Sequence, residues 1–373
     1  MEDQKPRDAA GLFAPFTHKG LALANRFVMA PMTRSFSPDN VPGADVAAYY
    51  RRRAENGVAL ILTEGTAVDH PVALNDAKVP NFHGEAALKG WANVLAEVKK
   101  AGGKIMPQLW HVGLMRRAGT GPHPELMGVG PSGLFKPGKI VTQPMTDAEI
   151  ADVIAGYARS AGHAKRLGFD GVEVHGAHGY IIDQFFWEGT NQRTDAWGGD
   201  MLKRTRFAVE IIKGIRREVG PDFPVILRWS QWKQQDYTAR LVHSPKEMEA
   251  FLAPLTAAGV DIYHCSTRRF WEPEFPETGS DLNLAGWVKK ISGTPTITVG
   301  SVGLNQEFIA TFAGDKAAPA SLDRLIGMFE RGDFDLVAVG RALLVNPDWV
   351  ERVRTGHMAD AKPFAPEALG TLV

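Results

Sequence analysis

The sequence predicts an α/β protein in the form of a single (β/α)8 TIM barrel, with an N-terminal hairpin cap and a lid insertion after strand three. Short apolar segments alternate with helical patterns along the whole chain, and eight such segments are present. Each is bounded by Gly, Pro or polar residues, as is typical of buried strands in a parallel sheet. Eight strands that alternate with helices favour a closed barrel over an open doubly wound sheet.

The predicted strands are short and apolar, which suits a sheet that is covered on both faces. In chain order they comprise residues 26–30, 58–63, 104–109, 171–175, 225–229, 261–266, 296–299 and 336–339. Side chains just past the carboxyl end of a barrel strand point into the active site, so functional residues are expected at these ends.

The clearest helical pattern contains Leu202, Phe207, Ile211, Ile215 and Val219, which largely share one face. A Gly-Pro pair follows this pattern and is a typical stop signal. The predicted helices are residues 44–56, 85–101, 147–167, 201–219, 245–258 and 321–331.

Two segments stand outside this repeat. Residues 16–25 contain a His18-Lys19-Gly20 turn and are predicted to form a hairpin that closes the bottom of the barrel. Residues 113–143 are rich in Gly and Pro and show little apolar periodicity, which is typical of a functional lid. No segment resembles an interdomain linker, so residues 1–373 are interpreted as one domain.

Composition argues against several functional classes. The chain has 373 residues with 42 basic and 42 acidic side chains, so no net field attracts nucleic acid or an anionic membrane. No segment approaches the ~18 apolar residues of a transmembrane helix, and the N-terminus lacks the apolar core of a signal peptide. The single cysteine, Cys265, excludes a cysteine-based iron–sulfur or zinc site. We therefore expect a soluble, cytoplasmic protein with no nucleic-acid or membrane partner.

The most informative segment begins at the end of the fourth predicted strand, where His175, His178 and Tyr180 lie within six residues. Two neutral imidazole donors suit the polarisation of a carbonyl and the stabilisation of a developing enolate. A phenol, with an ordinary pKa of about 10, suits protonation of the enolate carbon. These three residue types together indicate capture and protonation of an oxygen-stabilised carbanion.

Other interpretations of the same residues stay open at this point. The two histidines also stand at the His-x-x-His spacing of metal ligands, and Glu173 lies on the same strand face as His175. Tyr180 taken alone is equally typical of an amphipathic residue that packs at a barrel rim.

The ends of the last two strands indicate a phosphate site. Strand seven is followed by Gly300 and Ser301, and strand eight by Gly340 and Arg341. Loops at these two positions commonly bind phosphate in barrels, through the N–H groups of glycines and one cation. The planar guanidinium of Arg341 matches a phosphate group well.

The histidine segment continues to the run Thr190-Asn191-Gln192-Arg193-Thr194-Asp195, and the whole stretch resembles the signature of the old yellow enzyme family. These enzymes are flavin-dependent reductases of activated alkenes, and the resemblance covers about residues 12–355. It implies noncovalent FMN as cofactor, NADPH or NADH as electron donor, and an α,β-unsaturated carbonyl or nitroalkene as substrate. It further implies that His175 and His178 hold the substrate oxygen, that flavin N5 delivers hydride to the β-carbon, and that Tyr180 protonates the α-carbon.

The resemblance also assigns roles to residues at the strand ends. Thr33 would donate to the flavin C4 oxygen, and the Gln108 amide would bind the pyrimidine edge of the ring. Arg228 would lie near flavin N1 and the C2 oxygen, where negative charge collects on reduction. The implied FMN-binding residues are Pro31, Met32, Thr33, Gly65, Gln108, Arg228, Gly300, Ser301, Gly340 and Arg341.

Trp110 and Phe270 are further predicted to contact the substrate, together with His175, His178 and Tyr180. Residues 229–236 depart from the family pattern and are unusually polar and aromatic. Together with residues 268–271 they leave substrate specificity open, as well as the role of the 229–240 and 268–276 loops.

Three other functions compete with this prediction. A larger relative of the dienoyl-CoA reductase type would need an iron–sulfur cluster and a second nucleotide domain, and the single cysteine and the end of the sequence at Val373 argue against it. A non-redox barrel hydrolase or lyase would carry a metal on His175 and His178, although we predict no metal. A ligand-binding barrel would show no turnover. A monomer and a homodimer are both compatible with the sequence.

Overall fold

The computed structural model describes residues 7–307 and 314–373. Eight parallel strands close into a barrel in which spatial order follows chain order. They are β1 (Phe27–Met29), β2 (Leu60–Ala67), β3 (Lys104–Trp110), β4 (Val172–His178), β5 (Val225–Lys233), β6 (Ile262–Ser266), β7 (Thr296–Val299) and β8 (Leu336–Val339). Strand β8 pairs with β1 through Val339 and Met29, which closes the barrel and confirms the predicted fold class.

In the described part of the chain, helices connect successive barrel strands or follow the last strand. They are α1 (Ala44–Glu55), α2 (Glu85–Lys100), α3 (Asp147–Leu167), α4 (Ile181–Phe186), α5 (Met201–Val219), α6 (Pro245–Ala258), α7 (Leu284–Ser292), α8 (Asp323–Glu330), α9 (Arg341–Val345) and α10 (Trp349–Thr355). Helices α1 to α8 connect successive barrel strands, and α9 and α10 follow the last strand. Helix α3 shows why the boundaries are sharp. Thr146 and Glu149 form a capping box at its start, and Gly168 adopts a left-handed conformation at its end.

Two apolar layers follow from the alternation of side chains along each strand. On β1, Phe27 and Met29 pack into the layer between barrel and helices, whereas Val28, and Ala30 just after the strand, pack inside the barrel. The interior of the barrel is therefore a packed core rather than a channel. Residues that can bind ligands are expected at the carboxyl ends of the strands.

The N-terminal hairpin joins Phe16–His18 to Leu21–Leu23 in antiparallel pairing. Its apolar residues Phe16, Leu21 and Leu23 belong to the buried cluster inside the barrel, beside Leu60 and Ile226 near the strand starts. The predicted hairpin is therefore present, and it covers the amino-terminal end of the barrel.

Three strands continue by three or more residues beyond their predicted carboxyl ends, to Ala67 in β2, His178 in β4 and Lys233 in β5. The pairing registers shift between Leu62 and Gly65 in β2, and between Gly176 and His178 in β4. Such bulges let a strand continue past an irregular residue and change the direction of its side chains. Because the residues at these ends are polar, the sequence pattern predicted shorter strands.

Four helices of the described residues were not predicted from the sequence. They are α4 and α9, which are only six and five residues long, and α7 and α10. Within α5, Phe207, Ile211, Ile215 and Val219 are buried as expected, but Leu202 is exposed because it lies in the first turn at the barrel surface. Within the described ranges, no helix has the length and hydrophobicity needed to cross a membrane.

Candidate active site

A cavity of about 390 Å³ lies at the carboxyl ends of the barrel strands. Its size is in the range of small-molecule sites. The predicted site residues that line it are Pro31, Met32, Thr33, His178, Tyr180, Arg228, Gly300, Ser301, Gly340 and Arg341. Residues from five different strand ends thus meet around one space, as the barrel topology requires.

One end of the cavity is suited to an anion. Gly300 has a φ of 134°, and a Cβ at this position would lie 2.6 Å from the carbonyl oxygen of Thr267, so only glycine fits there. Arg341 donates to the carbonyl of Gln306 at 2.7 Å and lies 3.4 Å from the Ser301 hydroxyl. A fixed guanidinium beside a glycine turn is the arrangement expected for a phosphate group.

The opposite end carries a chain of hydrogen bonds through Ser266. Arg228 Nη2 donates to Ser266 Oγ at 3.2 Å, and the same hydroxyl lies 2.7 Å from His178 Nε2. Because a guanidinium can only donate, Ser266 Oγ accepts from Arg228 and its own hydrogen is available for His178 Nε2. The 2.7 Å contact is compatible with either tautomer of His178. In the tautomer whose Nε2 accepts from Ser266, the ring carries its proton on Nδ1 and can donate from that atom.

His175 lies within β4, as the predicted strand 171–175 implies, and it is only 5% exposed and does not line the cavity directly. Its Nδ1 accepts the N–H of Ala177 at 3.3 Å, which leaves the proton of a neutral ring on Nε2. Burial, and secondarily the Arg228 guanidinium, lowers the pKa of both His175 and His178 well below its ordinary value. Both imidazoles are therefore neutral near pH 7.

Tyr180 is enclosed by aromatic rings and one amide. Its ring makes edge-to-face contacts with Trp110 at 4.9 Å and His175 at 5.0 Å between centroids. Its hydroxyl lies 2.8 Å from Nε2 of Gln234. Burial raises the pKa of the phenol, and the hydrogen bond from Gln234 partly offsets that rise, so Tyr180 keeps its proton near neutral pH.

Four other predicted site residues lie outside the cavity lining. Phe270 is buried in the apolar layer. Trp110 packs behind Tyr180, and a Cβ at Gly65 would lie 2.6 Å from the Trp110 ring, so Gly65 makes room for this indole. The Gln108 side chain donates to Glu173 Oε1 at 2.7 Å in a fully buried position.

Gln108 belongs to a polar layer inside the barrel, below Arg228. The Glu173 carboxylate accepts from Gln108, and its second oxygen lies 2.6 Å from His264 Nδ1. Glu173 also favours the charged form of Arg228. We conclude that this carboxylate holds the Arg228 guanidinium in a buried site that would otherwise disfavour its charge.

Several lining residues were not predicted from the sequence. Trp232, near the end of β5, stacks on His178 with ring centroids 4.4 Å apart, and Gln234 follows the strand end. Both belong to the polar and aromatic stretch of residues 229–236. Ser266 ends β6, so the strand-end rule alone points to it. Arg268, Phe364, Pro366 and Leu369 also line the cavity. Phe364, Pro366 and Leu369 could not be predicted as lining residues from the sequence, because apolar side chains in an irregular segment match no motif.

The segment at 113–143 contains a short 3-10 turn and a hairpin formed by Leu134–Lys136 and Lys139–Ile140. None of its residues lines the cavity. Its function as a lid therefore stays a prediction.

The metal hypothesis lacks a third ligand in the part of the chain that the structure describes. Over residues 7–307 and 314–373, no group of three or more His, Cys, Asp or Glu side chains is arranged to hold a metal ion. His178 Nε2 is instead engaged with Ser266.

The lining residues fit FMN at both ends of the cavity. Arg228 is buried, and its Nε has no hydrogen-bond partner among the described residues, so it can donate to an electron-rich ring edge. Arg341 and the turn at Gly300 and Ser301 suit the single phosphate at the other end. FMN combines these two features, a ring that gains negative charge on reduction and a terminal phosphate.

Comparison with known proteins agrees with this fit. Residues 11–360 match the model of the NADH:flavin oxidoreductase / NADH oxidase family. The chain is 31% identical to 12-oxophytodienoate reductase 7 of Oryza sativa subsp. japonica, over 94% of this chain and 90% of that protein. It is 32% identical to the NADH oxidase of Thermoanaerobacter brockii over 94% of its length, but it spans only 52% of that protein.

Among solved structures, morphinone reductase in complex with tetrahydroNAD superposes with a TM-score of 0.79 and 28% sequence identity. The match covers 96% of this chain and 94% of morphinone reductase. Family model, relatives and structure thus agree over nearly the whole described barrel. The chain therefore belongs to the NADH:flavin oxidoreductase / NADH oxidase family, the old yellow enzyme family, and it is an oxidoreductase with FMN as cofactor and a nicotinamide as electron donor.

Proposed function

We propose that this enzyme reduces the carbon–carbon double bond of an α,β-unsaturated carbonyl compound or a nitroalkene. One observation carries the proposal: the neutral donor His178 and the phenol of Tyr180 face the same cavity, whose other end suits the phosphate of FMN. The names of the relatives, a 12-oxophytodienoate reductase and a morphinone reductase, support an unsaturated carbonyl substrate.

In this proposal, bound FMN supplies the hydride for the β-carbon of the alkene. His178 donates from Nδ1 to the carbonyl or nitro oxygen, and His175 supports it from the adjacent buried position. Negative charge that develops on this oxygen is stabilised by these neutral donors, with the Arg228 guanidinium close by. Tyr180 then gives its phenolic proton to the α-carbon, which completes the saturated product.

Thr33 and Arg228 are assigned to the polar edges of the flavin ring, and Arg341 with Gly300 and Ser301 to the phosphate. Pro31, Met32 and Gly340 would form apolar and backbone surface along the cofactor. We assign Gln108 an indirect role, because its side chain is bound to Glu173 and reaches the cavity only through the polar layer below Arg228.

The oxyanion role of the histidines is testable without turnover. A phenol such as 4-hydroxybenzaldehyde is planar, and its phenolate oxygen mimics that of an enolate. Donors at His175 and His178 should lower the pKa of the bound phenol, as any hydrogen bond to the charged form does. A phenolate stacked on oxidised flavin should produce a long-wavelength charge-transfer band.

We expect this band on titration of the native FMN-containing enzyme, and its loss in the His175→Ala, His178→Ala double variant. Retention of FMN by the variant, measured by its visible spectrum, is the control. A band of native intensity in the variant would remove both histidines from the oxygen-binding site.

Arg341 provides a separate test of the cofactor assignment. Replacing it with Ala removes a charged hydrogen-bond donor from the phosphate end and should weaken FMN binding by about 1.5–3 kcal/mol. Equilibrium titration of the apoprotein with FMN, followed by quenching of flavin fluorescence, measures this loss. An Arg341→Ala variant with unchanged affinity would place the phosphate elsewhere, and riboflavin, which has no phosphate, serves as the matched ligand control.

A further inference from the structure

We infer that Gln234 is a positioning residue that orients the phenolic proton of Tyr180 toward the substrate. This inference rests on the proposed function, because it assumes that Tyr180 is the proton donor. The evidence is the contact between the two side chains and the way in which the neighbouring residues hold the turn that carries Tyr180.

Three consecutive residues at the end of β5 contact this turn. The Lys233 ammonium group pairs with Asp183 at 2.8 Å, and Asp183 in turn accepts the N–H of Gly179 at 2.7 Å. The Gln235 side chain donates to the Gly179 carbonyl at 2.9 Å. Gln234 lies between these two anchors, and its own N–H points to the His178 carbonyl at 3.3 Å. Its side chain is therefore presented to the turn from a fixed backbone.

The hydrogen bond from Gln234 has a defined direction. Nε2 of its amide lies 2.8 Å from the Tyr180 hydroxyl oxygen, and an amide nitrogen can only donate. The phenol oxygen is then the acceptor, so its own hydrogen must point elsewhere. Tyr180 lines the cavity, and the other groups that pack on its ring are Trp110 and His175, which leaves the cavity as the direction for this hydrogen.

The same hydrogen bond also acts after proton transfer. Once Tyr180 has given up its proton, the amide N–H of Gln234 donates to a negatively charged oxygen, and hydrogen bonds to charged groups are stronger than those to neutral ones. Gln234 thus stabilises the product form of the donor more than its resting form, which lowers the barrier for transfer.

A direct contact with substrate is the alternative role for Gln234, since this residue lines the cavity itself. A double-mutant cycle separates the two. A residue that acts through the Tyr180 hydroxyl has no effect once that hydroxyl is absent, whereas a residue that touches substrate keeps its effect.

The experiment measures the rate at which an enone reoxidises the reduced, FMN-containing enzyme in anaerobic stopped flow. Gln234→Leu should slow this step about 10- to 100-fold, the range for loss of one hydrogen bond to a charged group. Reduction of the enzyme by the nicotinamide and the Kd of a bound phenol should stay near native. In the Tyr180→Phe background, Gln234→Leu should change the rate less than twofold.

Gln235→Leu is the matched control, because it removes an adjacent glutamine that binds the turn but not the phenol. Any effect of this control should persist in the Tyr180→Phe background. The pH profile gives a second signature: loss of the donor raises the pKa of the phenol, so the fall in rate at high pH should move to higher pH in Gln234→Leu. Gln234→Met serves the same purpose if the leucine variant does not fold.

The outcomes are distinct. A native reoxidation rate in Gln234→Leu overturns the inference. So does a loss from Gln234→Leu that is equal in the native and the Tyr180→Phe backgrounds. In either case Tyr180 remains the donor if Tyr180→Phe alone is slow. A native rate in Tyr180→Phe overturns the donor assignment and the inference together.

Discussion

Replacement of Tyr180 by Phe is expected to slow alkene reduction by roughly 10²–10⁴-fold, the usual contribution of a positioned acid. The phenol faces the cavity, and its raised pKa keeps it protonated near neutral pH. Loss of its hydroxyl removes the proton source for the α-carbon but leaves the aromatic packing against Trp110 and His175 in place.

Reduction of the enzyme by NADPH or NADH needs no proton from Tyr180 and should survive in the same variant. Anaerobic stopped flow resolves the two half-reactions, each followed through flavin absorbance. An equal loss in both would show that Tyr180 is a structural residue, and an unchanged rate with enone would assign the proton to another group.

The largest effect on stability is expected for Lys233→Met. Lys233 and Asp183 are both fully buried and form an ion pair at 2.8 Å. Loss of the ammonium leaves an uncompensated carboxylate in the protein interior, which typically costs about 3–5 kcal/mol in the free energy of unfolding. Burial already raises the pKa of Asp183 against the opposing effect of Lys233, so removal of Lys233 should raise it further.

Urea unfolding followed by circular dichroism measures this loss, and the Lys233→Met, Asp183→Asn double variant is the control. Without the buried charge, the double variant should recover a substantial part of the lost stability. Single and double variants of equal stability would contradict the account, because the cost would then arise from packing rather than from charge.

The barrel was predictable from the sequence because each of its strands is a short apolar segment bounded by turn residues. The C-terminal limits of β2, β4 and β5 were not, since bulges carry these strands into polar residues that resemble loops. This error had a consequence in the site. His178 was predicted to follow β4, but it belongs to the strand, and of the two histidines only His178 lines the cavity.

Residues with a chemical motif were easier to find than residues with a supporting role. His178, Tyr180, Arg228 and Arg341 occur at strand ends with recognisable functional groups. Ser266 could have been found by the same rule, but a single serine is too common to stand out. Contacts such as that of Gln234 with Tyr180 depend on how two loops approach each other in space. The spacing of these residues in the sequence does not predict such a contact.

The central claim is that electrons from the nicotinamide reach the double bond of an activated alkene in this cavity. The most direct test is an anaerobic reaction of the FMN-containing enzyme with NADPH or NADH and 2-cyclohexenone, with product identified by gas chromatography. The account predicts one cyclohexanone formed for each nicotinamide oxidised. Oxidation of the nicotinamide only when oxygen is admitted, with the enone and other activated alkenes recovered unchanged, would contradict it.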